Sequence, residues 1–222
     1  MSLTNLMYKE IHFDSDEEVF VAMWLEELRQ RGYIRFWKKV KDSISLTDGK
    51  KIPYLKVTKL KTKSKVEQKD FILLSSSEYT PDFEITWDVK GLNKFLYQIT
   101  ENIYHQRHVK ERGGITDPRT AVFFSSEYNT TVLEVKPGFD QNNMERLFKN
   151  NQRFIWDKYK LFVNLIEPID LFKKTFLPLA AAPYFRYKKV PKKALAKGKK
   201  IGDFKFDWQP LTIEEFLDKN KD

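Results

Sequence analysis

Apolar residues in the first thirty positions recur at helical spacing. After Asp14-Ser15 the run DEEVFVAMWLEELRQRG places Val21, Trp24, Leu25 and Leu28 on one stripe, with acidic residues in the first turn and Gly32 as a stop. This predicts a capped amphipathic helix. From Phe36 to Gln68 the chain is lysine-rich, with a Thr47-Asp48-Gly49 turn and alternating stretches such as YLKVTKL, which read as a basic hairpin or loop. FILLSSS and TPDFEITW read as strands. Residues 92 to 112, including FLYQITENIYHQR, read as helical, and Gly113-Gly114 leads into a further loop. AVFFSSEYNTTVLEVKPG reads as a hairpin turning at Glu127-Tyr128-Asn129 and stopped by Pro137-Gly138. A helix from about Asp140 to Lys158 then carries Met144, Leu147, Phe148, Phe154 and Ile155 at helical spacing. The strand KLFVNLIEP follows it, and a short helix TIEEFLDK ends the chain.

Helix, strands, helix, strand is the order of an α/β core. The expected division is a core over residues 1–170, with an insertion at about 91–120 and a basic C-terminal extension over 171–222. A chain of 222 residues with 41% hydrophobic and 15% aromatic content can bury such a core without cross-links. There is no cysteine, which excludes disulfides, thiolate metal sites and a cysteine nucleophile, and agrees with a reducing, intracellular setting. The N-terminus has no apolar leader, and TFLPLAAAPYF is too short to span a membrane, so a soluble cytoplasmic protein is expected. The net charge of +9 favours a polyanionic partner, nucleic acid first, because lysines that neutralise phosphates release condensed counterions.

Candidate chemistry lies on two of the strands. Residues two apart on a strand share a face, so Glu134 and Lys136 project together while Leu133 and Val135 turn to the opposite, buried side. Such a pair is common on solvated sheets. Its company is less so: Tyr79-Thr80-Pro81-Asp82-Phe83 precedes it, and an amphipathic helix and a strand follow Leu133-Glu134-Val135-Lys136-Pro137. The rival string Asp88-Val89-Lys90-Gly91 fails on geometry, because six residues of extended strand separate Asp82 from Asp88 by about 20 Å.

Taken together, these strings resemble the PD-(D/E)xK nuclease superfamily, nearest to endonucleases that cut transposon ends, junction resolvases and related phage nucleases. The resemblance implies a restriction-endonuclease-like fold, a central mixed β-sheet flanked by helices. It implies that Asp82, Glu134 and the Val135 carbonyl bind Mg²⁺, with Mn²⁺ able to substitute, and that Lys136 orients the attacking water. It also implies a further glutamate from the first helix, at Glu18 or, failing that, Glu17; both also suit a helix N-terminus on charge alone. Hard oxygen ligands are what Mg²⁺ requires. The activity implied is endonucleolytic cutting of DNA, with branched substrates and phage or mobile-element DNA processing suggested by analogy and a homodimer left open.

Further nucleic-acid contacts are expected from Arg146, Lys149, Gln152 and Arg153 on the second long helix. Lys188, Lys189, Lys192 and Lys193 are expected to contribute from YFRYKKVPKKALAKGKK, where cations and rings interleave. His12, His105 and His108 form no familiar metal spacing. A non-catalytic nucleic-acid-binding protein on the same fold is the alternative, and a virion or scaffold component the third reading.

Overall fold

The computed structural model describes residues 6–100, 119–125, 128–138, 144–185 and 208–220. Twelve strands are assigned among them: β1 (Met7–Tyr8), β2 (Ile11–His12), β3 (Ile34–Lys39), β4 (Ile44–Thr47), β5 (Lys50–Lys59), β6 (Ser64–Leu74), β7 (Ser77–Tyr79), β8 (Phe83–Trp87), β9 (Tyr97–Ile99), β10 (Ala121–Phe123), β11 (Thr130–Val135) and β12 (Val163–Ile166). The helices are α1 (Asp16–Gln30), α2 (Met144–Tyr159), α3 (Pro168–Lys174) and α4 (Ile213–Lys219). None of the described helices is long and apolar enough to cross a membrane. The chain forms two compact units, one of Met1–Val40, Pro81–Met144 and Phe162–Asp222, the other of Lys41–Thr80 and Glu145–Leu161.

The first unit is built on a four-stranded mixed sheet in the order β12-β11-β8-β3. β3, β8 and β11 run antiparallel in turn, and β12 lies parallel to β11. In chain order the elements α1, β3, β8, β11, α2 and β12 therefore give a helix, an antiparallel meander, a helix and a parallel strand. A parallel neighbour needs a long crossover connection, and the segment containing α2 supplies it.

Helix α1 begins where the sequence indicates: the Ser15 hydroxyl accepts from the Glu18 backbone N–H at 3.2 Å, and Asp16, Glu17 and Glu18 fill the first turn. Gly32, with φ of 74°, turns the chain after it. Val19 through Leu25 are all buried, a wider face than the expected stripe, as befits a helix covered on more than one side. Trp24 Nε1 donates to Thr175 Oγ1 at 3.2 Å just beyond α3, and Trp24, Phe95, Phe176 and Phe216 pack ring against ring. Each of these aromatics removes on the order of 200 Å² from water, so this cluster dominates the core.

Past residue 170, Phe172, Phe176, Leu177, Ala181 and Phe185, with Ile213 and Phe216 of α4, are core residues of the first unit. The described ends of the expected insertion are likewise core: Phe95 and Leu96 are buried, and β9 pairs in parallel with β10. Residues 92–100 are not helical. Asn93 has φ of 60°, and its N–H donates to Gln98 Oε1 at 2.8 Å while Gln98 N–H donates to Asn93 Oδ1 at 2.9 Å, a reciprocal clasp that closes a turn where the helix was expected. The rest of that expected helix, with His105 and His108, lies outside the described residues.

The expected hairpin over residues 121–136 is also replaced. β10 pairs with β9 and β11 with β8 and β12, leaving, among the described residues, a single bridge, Ser125 to Thr130, between the two halves. Buried Asn164 of β12 ties β10 down instead: its Oδ1 accepts from Phe123 N–H at 2.7 Å and its Nδ2 donates to the Phe123 carbonyl at 2.9 Å.

The second unit contains the β4–β7 pair, the long β5–β6 ribbon and α2. Tyr159 Oη and Lys158 Nζ, at the end of α2, donate to the Ser45 carbonyl of β4 at 2.8 and 3.1 Å. On α2, Phe148 and Ile155 are buried as expected, whereas Leu147 and Phe154 are exposed.

Candidate active site

Register decides which acidic groups meet. Leu133 stands opposite Phe83 at the end of the antiparallel pair, and the next residue, Asp82, also donates its N–H to the Leu133 carbonyl, while Val40 N–H, just beyond β3, donates to the Asp82 carbonyl, both at 3.0 Å. Asp82 is thus clamped between the ends of β3 and β11. Its carboxylate accepts a 2.6 Å hydrogen bond from Val135 N–H.

Glu134 is buried, and Lys136 Nζ lies 2.5 Å from Glu134 Oε1, as their two-residue spacing on a strand requires. Lys136 is itself fixed by its N–H, which donates to the Ile166 carbonyl of β12 at 3.0 Å.

Glu18 is buried in the first turn of α1, on the helical face of buried Ala22 and Leu25. Its carboxylate accepts from Ser15 Oγ at 3.2 Å and from Asp14 N–H at 3.4 Å, and it pairs with Lys39 Nζ at 3.0 Å. Lys39 also reaches Asp14 Oδ2 at 2.7 Å and lies over the Phe13 ring. Glu17 is half-buried beside it in sequence.

The electrostatics follow from this crowding. Burial first, then the Glu134 charge, pushes the Asp82 carboxyl up to about 7; the Val135 N–H opposes the rise, Glu18 adds to it, and Lys136 opposes it. Lys39 is held above its ordinary value, burial being outweighed by its bonds to Asp14 and Glu18. Glu134 and Glu18 therefore both act on Asp82, with Lys136 beside the first and Lys39 beside the second.

Of the residues singled out from the sequence, the structure brings Asp82 into contact with Val135 and Glu134 into contact with Lys136, and sets Glu134, Glu18 and Lys136 within electrostatic reach of Asp82. Among the described residues no three acidic or histidine side chains converge into a group ready to hold a metal ion. In this structure Glu18 turns to Lys39, Glu134 to Lys136 and Asp82 to the Val135 N–H. The donor chemistry nevertheless suits a hard divalent cation, because buried carboxylates that repel one another are stabilised by one.

Arg146, Lys149 and Arg153 are exposed on α2 and Gln152 is half-buried there; Lys149 is paired with Glu145. All four belong to the second unit. Lys188, Lys189, Lys192 and Lys193 lie outside the described residues. The rival Asp88 sits past the far end of extended β8, where it caps a short turn through Lys90 N–H and pairs with Arg35. Sequence reasoning missed Lys39. Within WKKVKD nothing in spacing separates it from Lys38, which points to Glu84.

The chain matches no family model, no curated protein and no solved structure.

Proposed function

We propose that this chain is a divalent-metal-dependent nuclease that hydrolyses phosphodiester bonds in DNA, and that its first unit is a restriction-endonuclease-like core of the PD-(D/E)xK kind. The observation that carries this reading is the hold of β11 on Asp82. Asp82 bonds to Leu133 and Val135, on either side of Glu134 fifty-two positions further along the chain, and feels the Glu134 charge, with Lys136 in contact with that second carboxylate. The element order supports it, since the antiparallel meander that bears both carboxylates is preceded by α1 with Glu18 and followed by a helix and a parallel strand.

In this reading Asp82, Glu134 and the Val135 carbonyl would hold Mg²⁺ or Mn²⁺, with Glu18 contributing from α1. A bound ion would supply an activated water and offset charge on the departing oxygen. The chain's own groups do the rest. Lys136 presents a compact positive charge to the phosphate and fixes Glu134. Burial excludes bulk water, which strengthens each of these interactions. Lys39 holds Glu18 in place from the other side.

The test is cleavage of labelled linear duplex, single-stranded and four-way-junction DNA with Mg²⁺, Mn²⁺ or EDTA. Cutting that needs the metal, prefers one of these substrates and falls at least about 100-fold in each of Asp82→Ala, Glu134→Ala and Lys136→Ala supports the reading. Metal-indifferent, salt-dependent binding without cutting would replace it with a non-catalytic DNA-binding protein. The pairing of Glu18 with Lys39 is the observation that such a protein would share.

A further inference from the structure

The β5–β6 ribbon of the second unit is the most exposed element described. From Lys50 to Leu74 every residue except Thr58 and Glu67 is exposed. Ten residues of β5 at about 3.3 Å each make an arm roughly 33 Å long. The segment carries eight lysines against two carboxylates, Glu67 and Asp70, a net charge of +6 and thus two thirds of the net charge of the chain.

Half of its lysines gather at one end. Pairing sets Ile52 opposite Phe71 and Val57 opposite Val66, and Leu55 precedes Val57 by two on the same face. Cross-strand apolar pairs of this kind hold a two-stranded ribbon that would be marginal by itself. They lie along its base and middle. The far end is different: Lys59, Lys61, Lys63 and Lys65 alternate through the turn, which is closed by Leu60 N–H donating to the Lys63 carbonyl at 2.8 Å, with exposed Leu60 among them. Lys65 is paired with Glu67 at 2.5 Å, and Lys59, Lys61 and Lys63 are exposed.

We infer that this ribbon is a DNA-binding arm, entering a groove of duplex DNA with its lysine-rich end against the phosphates. Charge selects the occupant. A second copy would bring +6 against +6, whereas a duplex offers one negative charge per ~1.7 Å of its axis. Shape agrees, because the major groove of B-form DNA admits a two-stranded β-ribbon while that of A-form RNA is too narrow. The inference rests on the nuclease reading only in taking DNA as the polyanion, and it requires no chemistry.

The experiment is anisotropy titration of a labelled 30-base-pair DNA duplex with the full chain in EDTA, from 50 to 200 mM salt. The variants are Lys59→Gln/Lys61→Gln/Lys63→Gln and the matching triple arginine protein. Three lost phosphate contacts lower the slope of log affinity against log salt by about 2.7, so over this range wild type loses affinity about 40-fold more than the glutamine variant. The arginine variant keeps the wild-type slope. Trypsin cleavage at the arm's lysines in the wild-type chain should slow when the duplex is added. An unchanged slope with no protection overturns the inference, as does equal competition by duplex RNA. A changed slope in a protein that never cuts DNA leaves the arm in place and removes the nuclease instead; cutting with an unchanged slope does the reverse.

Discussion

Asp82→Asn tests whether the carboxylate cluster is under the electrostatic load described. The change keeps the shape and leaves an oxygen to accept the Val135 N–H, but removes the charge. Wild-type Asp82 ionises at about 7 in the fold, because burial and then Glu134 disfavour the anion, against about 3.9 in an unfolded chain. Below about pH 4 both states are protonated and the residue contributes nothing to pH dependence. Between about pH 4 and 7 the unfolded chain gives up its proton while the folded one keeps it, so stability falls as pH rises; above 7 the full penalty stands. At ~1.4 kcal/mol per tenfold change in affinity for the proton, the penalty is about 4 kcal/mol at most. The asparagine protein does not carry it. Urea unfolding in EDTA at pH 4, 5, 6, 7 and 8 should show the variant gaining on wild type through this window by about 2 to 4 kcal/mol, on the order of 5 to 10 °C in Tm for a chain of this size. Excess Mg²⁺ at pH 8 should restore wild type alone, since an ion bound only by the native state stabilises it by mass action. A variant that differs from wild type by the same amount at every pH would refute the argument.

Other groups give independent checks. Glu26 is buried, accepts from Arg29 Nε and Nη2 at 2.9 and 2.8 Å, from Gln30 at 3.1 Å and from Trp37 at 3.2 Å, and pairs with Lys9. The Arg29 hydrogen bonds, followed by those of Lys9, Gln30 and Trp37, outweigh burial and hold its carboxyl far below the usual range. That stability is present above the ordinary carboxylate range and lost as pH falls from there through the lower value in the fold, so Glu26→Gln should cost about 2 to 3 kcal/mol at pH 7 and converge on wild type only in strong acid. Lys39→Met leaves Asp14 and Glu18 without their cation and should cost about 1 to 3 kcal/mol by urea unfolding, part of it recovered by adding Glu18→Gln. A Cβ on Gly91 would lie 2.1 Å from the Tyr33 carbonyl oxygen, so Gly91→Ala should lower stability by about 2 kcal/mol or more, and an unchanged Tm would contradict the packing described there.

What could be read along the chain was local. Ser15, the acidic first turn and Gly32 delimit α1 because caps act over three or four residues, and Glu134 and Lys136 share a face because strand alternation needs no partner. The meeting of Asp82 with Glu134 needed register between distant strands, which no local pattern encodes. Where local and long-range preferences compete, the local reading fails: β-rich runs at 121–136 look like a hairpin, but β10 finds β9 and Asn164 instead. FLYQIT has helical spacing, yet the Asn93–Gln98 clasp and the burial of Phe95 and Leu96 turn it into a corner and a strand. The C-terminal fifth looked like a tail because its lysines dominate the average, while Phe172, Phe176, Ile213 and Phe216 were the residues that mattered for packing.

The balance of charge around Asp82 bears on function more than any one contact. A structural ion-pair network closes when each buried anion meets a cation, because an uncompensated buried charge costs several kcal/mol. Here Asp14, Glu18, Asp82 and Glu134 gather around two lysines. Lys39 serves the first two, Lys136 serves the last, and Asp82 takes a backbone N–H. The imbalance falls on the residue with the least cationic company, and that residue is the one whose carboxyl is pushed up. Packing alone would favour asparagine at this position. In the proposed nuclease, a bound divalent cation would compensate the Asp82 charge. Asp82→Asn joins the two claims: if the variant is the more stable protein above pH 7 and has also lost metal-dependent cutting, stability has been given up there for chemistry; if it is more stable and cuts as well as wild type, the charge at Asp82 serves neither.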